Sequence, residues 1–140
     1  MSENQTRIAL YTSPWRSIRK PTGVGQHVVR RCGELARNPG VNATVLAARA
    51  DYEDARQSMP AALASSAVAY LPRGERLTRM LMLGTGLLPV ERYCGELDWV
   101  YCPKEQPVAT RSARLAVTVH DVRGLESTIP GMERSAGRRD

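Results

Sequence analysis

Short apolar runs recur along this chain, and each is separated from the next by a glycine-rich loop or a segment of helical periodicity. Arg7–Thr12 (RIALYT), Val41–Ala48 (VNATVLAA), Ala67–Pro72 (AVAYLP), Leu97–Cys102 (LDWVYC) and Leu115–Val119 (LAVTV) read as strands. Most lack the apolar–polar alternation of a half-solvated strand, and a strand apolar on both faces is covered on both faces, as in a parallel sheet. Between them, Val24, Val28, Cys32, Leu35 and Ala36 keep helical spacing over Val24–Arg37, and the Asn-Pro-Gly at Asn38–Gly40 stops that helix. The alanine-rich stretch Asp51–Ser66 is expected to be helical after a break at Pro60, and Glu75–Leu88 to be a helix ended near Pro89. Strands alternating with helices predict an α/β fold, a Rossmann-like doubly wound parallel sheet. The most unbroken runs, Arg7–Thr12 and Leu115–Val119, are its expected central strands.

The chain has 140 residues, which is the size of one domain. It divides into residues 1–126, carrying the periodic segments, and a polar, basic tail over 127–140 that stops without a closing element, as if the sheet were incomplete. Hydrophobic residues make up 42% and charged residues 24%, so a sizeable core can form without disulfide or metal staples. Cys32, Cys94 and Cys102 are an odd count, and with His27 and His120 they give no zinc spacing, so reduced thiols and no metal are expected. The start, MSENQTR, carries no signal sequence, and the apolar stretch Met80–Val90 is too short to span a bilayer. A cytoplasmic location is therefore expected.

The net charge of +6 favours an anionic partner. Nucleic acid is not the expected one, because the chain has no basic patch interleaved with aromatics, no RNA-binding signature and no zinc-finger spacing. An anionic membrane surface or acceptor fits better. Arg16, Arg19 and Lys20 lie just before the first helix, and Arg73, Arg76 and Arg79 flank the strongly apolar Glu75–Leu88 segment. A basic helix with surplus apolar surface can lie peripherally on an anionic membrane interface, here at its inner face. The alternative is that this helix is core and that the charge reflects an arginine-rich proteome.

Two places carry candidate chemistry. Gly23, Val24 and Gly25, with Gln26 after them, stand where the first loop turns into the first helix. In an open α/β sheet that corner lies at the carboxyl end of a strand, where a helix N-terminus offers backbone N–H groups and glycine permits close approach of a phosphate or sugar. The dinucleotide fingerprint fails, because the glycines do not follow the strand directly and its third glycine position is Val28. There is also no Gly-Lys-Ser/Thr of a nucleoside triphosphate loop. The second place is His120-Asp121, directly after the fifth strand. His120 can bind a hydroxyl or phosphate or move a proton, and Asp121 can orient the turn or the imidazole. The bland readings are a rim histidine and a capping aspartate. His27, in the first turn of the first helix, could face the cleft, but a solvent-facing helix histidine is the more common case; Cys32 and Cys102 are expected to be small packing residues.

In order, RIALYTSPW, TGVGQHVVRRCGELAR, DWVYCP and RLAVTVHDV resemble the N-terminal domain of retaining glycosyltransferases of the two-Rossmann-domain (GT-B) class, over roughly Arg7 to Glu126. That group includes sucrose synthase, bacterial mannosyltransferases and glycosyltransferases of cell-envelope and antibiotic assembly. The resemblance implies an N-terminal domain that mainly binds a sugar, lipid-linked or small-molecule acceptor, and a C-terminal domain that mainly grips the nucleotide-sugar donor. It implies no metal and no cofactor beyond that substrate. Gly23, Val24 and Gly25 match the glycine loop that approaches the donor phosphates and acceptor; Gln26 occupies a variable position. His120 matches the histidine near the transferred sugar, and Asp121 completes the family's His-Asp pair. The basic pair and the spaced glutamates of the second domain have no counterpart here, which implies less than half of an enzyme, inactive alone. Two other classes remain: a non-catalytic α/β module binding an anionic membrane or partner, and a different Rossmann-like enzyme, against which the failed fingerprint counts.

Overall fold

The computed structural model describes residues 5–12, 23–49, 52–53, 56, 59–71, 80, 88–104 and 108–120. Within them the chain forms β1 (Thr6–Tyr11), α1 (Gly23–Arg37), β2 (Val41–Ala48), α2 (Ala61–Ala64), β3 (Ala67–Leu71), α3 (Glu91–Cys94), β4 (Trp99–Cys102) and β5 (Arg114–Val117). The strands make one five-stranded sheet in the order β3-β2-β1-β4-β5. Every neighbouring pair is parallel. This is a Rossmann-like α/β fold, and the expectation of a parallel sheet is met. Among the described residues no helix is long and apolar enough to cross a membrane.

The two periodicities of the chain explain the layers. Successive side chains of a strand point to opposite faces. From β1, Ile8 and Leu10 enter one core with Ala43, Val45 and Ala47 of β2, Val28 and Cys32 of α1 and Leu63 of α2. Ala9 and Tyr11 enter the other, with Leu46, Ala69 and Leu71, and with Val90, Leu97, Val100 and Val108 beneath them. Tyr52 and Met59 are buried in the first core. Within the Asp51–Ser66 stretch, Ala61–Ala64 is a helix of about one turn, and it starts after Pro60, as a proline-broken helix should. At the end of α1, Asn38 Oδ1 accepts the Gly40 N–H at 2.9 Å, and the Asn38 carbonyl accepts the Val41 N–H at 3.0 Å, so the Asn-Pro-Gly turn feeds straight into β2.

One placement is corrected. The Leu115–Val119 run is not central: β5 is the outermost strand on its side of the described sheet, and β4 takes the place beside β1. Leu115 and Val117 are 39% and 37% exposed. Apolar character tells how a strand can be covered, not its rank in the sheet, which hydrogen-bond partners decide. The Glu75–Leu88 helix, with Arg73, Arg76 and Arg79, falls almost wholly outside the described residues.

The approach to β5 is held by a carboxylate. Glu91 Oε1 accepts the backbone N–H groups of Arg111, Ser112 and Ala113, each at 2.9 Å. Burial raises the Glu91 carboxyl, but the combined donors from Ala113, Ser112 and Arg111 outweigh it and hold it below the ordinary carboxylate range. Charge-assisted bonds of this kind are the strong ones.

Two outcomes are expected. In urea unfolding, Leu10→Ala should cost about 2–5 kcal/mol, the range for emptying a closed core site, and Leu115→Ala on the edge strand should cost less than about 1 kcal/mol. A depressed folded-state pKa means that the Glu91 contribution is complete above its unfolded value of about 4.3 and is lost as pH falls through the folded value. Glu91→Gln should therefore lower stability by about 1 kcal/mol at pH 7 and flatten the stability profile below pH ~4.3, read from unfolding midpoints across pH.

Candidate functional site at the carboxyl rim

The chain runs outward from β1 to β2 to β3 and then crosses back to β4 on the other side of β1. At such a switch point the loops after the two central strands part, leaving a crevice at their carboxyl ends. Thr12 follows β1 there. Its N–H still bonds the Leu46 carbonyl at 3.3 Å, extending the ladder by one residue. Its side chain is 1% exposed, and Oγ1 has no hydrogen-bond partner among the described residues. By alternation from Ile8 and Leu10, this hydroxyl is on the α1 side of the sheet. A buried hydroxyl without a partner costs folding free energy, so its presence at a rim calls for explanation.

The first turn of α1 brings its own polar groups. Gly23, Val24 and Gln26 are exposed and Gly25 is buried. A Cβ added at Gly23 would meet nothing within 4 Å, so the protein's own packing does not require glycine at this position. One turn further on, the half-buried His27 faces the sheet's β4–β5 side rather than solvent, which corrects the sequence expectation.

The third contribution comes from β5. Tyr101 pairs in register with Ala116, so Thr118 and His120 project on the same face as Tyr101, toward α1. Beyond the strand proper, Thr118 N–H bonds the Cys102 carbonyl at 2.9 Å, and the Thr118 and Tyr101 hydroxyls bond each other at 2.9 Å. This carries His120 to the level of Pro103, whose carbonyl lies 2.7 Å from His120 Nε2. The His120 and His27 rings meet edge to face, with centroids 4.9 Å apart and planes at 87°. The two motifs of the sequence, the glycine-started helix and the strand-end histidine, are thus in physical contact. Asp121, Arg16, Arg19 and Lys20 lie outside the described residues.

A cleft of about 500 Å³ opens at the opposite, amino edge between Gln5, Thr6, Arg7, Asp98, Trp99 and Arg114. Its charges are largely spent on each other. Arg7 Nη1 is 2.8 Å from Glu96 Oε2, and Asp98 Oδ2 accepts the Arg7 backbone N–H at 2.8 Å. That N–H and then the Arg7 guanidinium hold the Asp98 carboxyl below its usual range. The carboxyl rim brings together two imidazoles, a helix N-terminus and a buried hydroxyl without a partner among the described residues. On this chemistry it is the better candidate.

The cysteines are packing residues. Burial pushes the thiols of Cys32, Cys94 and Cys102 up to about 12, with the Glu91 charge adding to the effect at Cys94. They stay protonated at neutral pH and are poor nucleophiles. Among the described residues no group of three His, Cys, Asp or Glu side chains is placed to hold a metal ion. Sequence reasoning passed over Thr12 and misjudged His27. The available signals were that Thr12 is the first residue after the buried run Ile8–Tyr11, and that His27 follows Gly23 by one turn.

The fold and rim define a Rossmann-like α/β protein with a polar site at the switch point of its sheet. No protein-family model, curated protein or solved structure matches the chain.

Thr12→Val keeps the shape of the side chain and removes the stranded hydroxyl. It should leave stability unchanged or raise it by about 1–2 kcal/mol, measured by urea unfolding, whereas an ordinary satisfied core threonine would be destabilised by the same change.

Proposed function

We propose that this chain is the acceptor-binding N-terminal part of a retaining GT-B glycosyltransferase. The complete enzyme would move a sugar from a nucleotide-sugar donor to an acceptor hydroxyl, and the chain alone would not turn over. The observation that carries this reading is the contact between His120 and the first turns of α1, with ring centroids 4.9 Å apart. It joins the two motifs on which the resemblance rests.

The chemistry suits the groups present. Transfer separates a nucleoside diphosphate from an anomeric carbon, so negative charge grows on the leaving phosphate. Preorganised N–H donors at a helix N-terminus stabilise such charge without reorganising. Gly23 supports this role, because a glycine that the fold does not need leaves room for a phosphate or sugar to reach the backbone. His120 would hold a hydroxyl of the transferred sugar. The leaving phosphate takes the acceptor proton, so no side chain is assigned as general base. The donor-gripping domain is not among these residues, and nucleotide-sugar binding by the chain alone should be weak.

The test is a titration of the isolated chain with a panel of uridine, guanosine and adenosine diphosphate sugars, followed by amide NMR. Shifts confined to Gly23, Gly25, His27 and His120, with dissociation constants in the millimolar range or above ~1 mM, are the expected result. Absence of any rim response to the whole panel, or tight binding elsewhere, would falsify the proposal. Gly23→Ala supplies a second reading of the same idea. It should raise stability by about 0.4–1 kcal/mol, because alanine restricts the unfolded chain and fits this position, while weakening nucleotide-sugar binding.

A further inference from the structure

We propose that β5 is a docking edge for another polypeptide chain: an extended acidic segment, with apolar residues on one face and carboxylates on the other, adds beside it as a further strand. Within the described sheet β5 is paired on one side only, with β4. The Arg114 N–H bonds the Asp98 carbonyl at 3.1 Å, and the Thr118 N–H bonds the Cys102 carbonyl at 2.9 Å. Backbone groups alternate in direction along a strand, so the N–H and C=O groups of Leu115 and Val117 point the other way, out of the sheet edge. Among the described residues nothing bonds them. A row of unpaired groups of this kind is a template for another strand.

The side chains leave the same opening. Leu115 and Val117 stand in register with Val100 and Cys102 of β4 and share their face. Val100 and Cys102 are buried in the second core, whereas Leu115, Val117 and Val119 are 39%, 37% and 61% exposed. The cover over that core reaches β4 and stops short of β5, although parallel strands are ordinarily covered on both faces. Edges kept single are blunted by charge, proline or a bulge; this face has only leucine and valine, and β5 keeps a regular register with β4. Charge decides the partner. Residues 108–120 include Arg111 and Arg114 and no Asp or Glu. Both arginines are exposed, and neither has a carboxylate partner among the described residues. The Arg114 guanidinium lies over the Trp99 ring, 5.5 Å from its centroid, which holds the planar group in place and leaves its N–H edge for a carboxylate. Arg114 is on the opposite face from Leu115, so a strand laid beside β5 meets apolar side chains on one face and a cation on the other. A second copy of this chain would bring the same two cations and no carboxylate to answer them. An acidic partner strand answers both, as when an extended peptide joins a sheet edge and its alternate side chains set the specificity.

The experiment is amide NMR of the full chain titrated with two capped peptides, one alternating valine with glutamate and the other valine with lysine. At low salt the glutamate peptide should bind about tenfold more tightly than the lysine peptide, and added salt should narrow the gap. The amide signals of Leu115, Val117 and Val119 should move, and their exchange with water should slow. Val117→Pro removes an outward N–H and leaves the bonds to β4 in place, a position where an edge strand tolerates proline; it should abolish binding of the glutamate peptide. Leu115→Lys, which puts a charge on the open face, should give the same block if the proline disturbs the sheet, as the amide spectrum of each variant will show. Arg114→Glu should reverse the preference between the peptides. No binding of the glutamate peptide, equal binding of both peptides, full binding by a folded Val117→Pro chain, or an unchanged preference in Arg114→Glu would each overturn the assignment. Concentration-dependent association of the chain alone through Leu115 and Val117 would give the edge to a second copy and overturn the acidic partner.

Discussion

β1 hydrogen-bonds along both of its edges, to β2 on one side and β4 on the other, and buries side chains on both faces. A strand paired along both edges can only be central. Everything after it must be arranged around it: two strands laid down on one side, then a return across the sheet to the other. That return creates the switch point, and the crevice at the carboxyl ends of β1 and β4 follows from it as geometry. Thr12, the start of α1 and the Pro103 turn border the crevice because each is the next piece of chain after a strand that borders it.

The two ends of the sheet handle polar groups differently. At the amino edge Arg7, Glu96 and Asp98 satisfy one another, and Glu91 gathers the backbone donors that precede β5. These contacts close the fold, although the second Glu91 oxygen, Oε2, is buried without a partner among the described residues. At the carboxyl edge the polar groups are arranged without full mutual satisfaction: the Thr12 hydroxyl is buried without a partner among the described residues, and a glycine stands where the packing has no need of one. Local features that cost stability and have no structural compensation are the usual mark of a site kept for binding. The meeting of two imidazoles with a glycine-started helix at the switch point directs the functional reading to His120 and the start of α1.

The interplay of His27 and His120 shows how such a site acquires precision from ordinary elements. Neither residue has a special backbone conformation, and among the described non-glycine residues none has positive φ. The orientation comes from register. Parallel pairing of β4 with β5 sets which face His120 uses, and helical periodicity sets which flank of α1 carries His27. The two rings meet because those registers converge, so a slip of one residue in β5 would send His120 to the opposite face.

The sequence by itself determined the elements and their class. Runs apolar on both faces require a parallel sheet with covers on both sides, the Val28 and Cys32 spacing requires a helix facing it, and Asn-Pro-Gly must end that helix; all of these depend on local sterics and short-range periodicity, which the residues carry wherever they are placed. It also marked Gly23, Gly25 and His120, because glycine before a helix and histidine after an apolar strand are local signals. Only the tertiary structure decided that β4 rather than β5 sits beside β1, since apolarity sets how a strand can be buried and not which edge it pairs with. Only it turned His27 from an expected surface residue into the neighbour of His120, and stranded the Thr12 hydroxyl. These are contacts between residues distant in sequence, fixed by strand order and register, and no local periodicity encodes them.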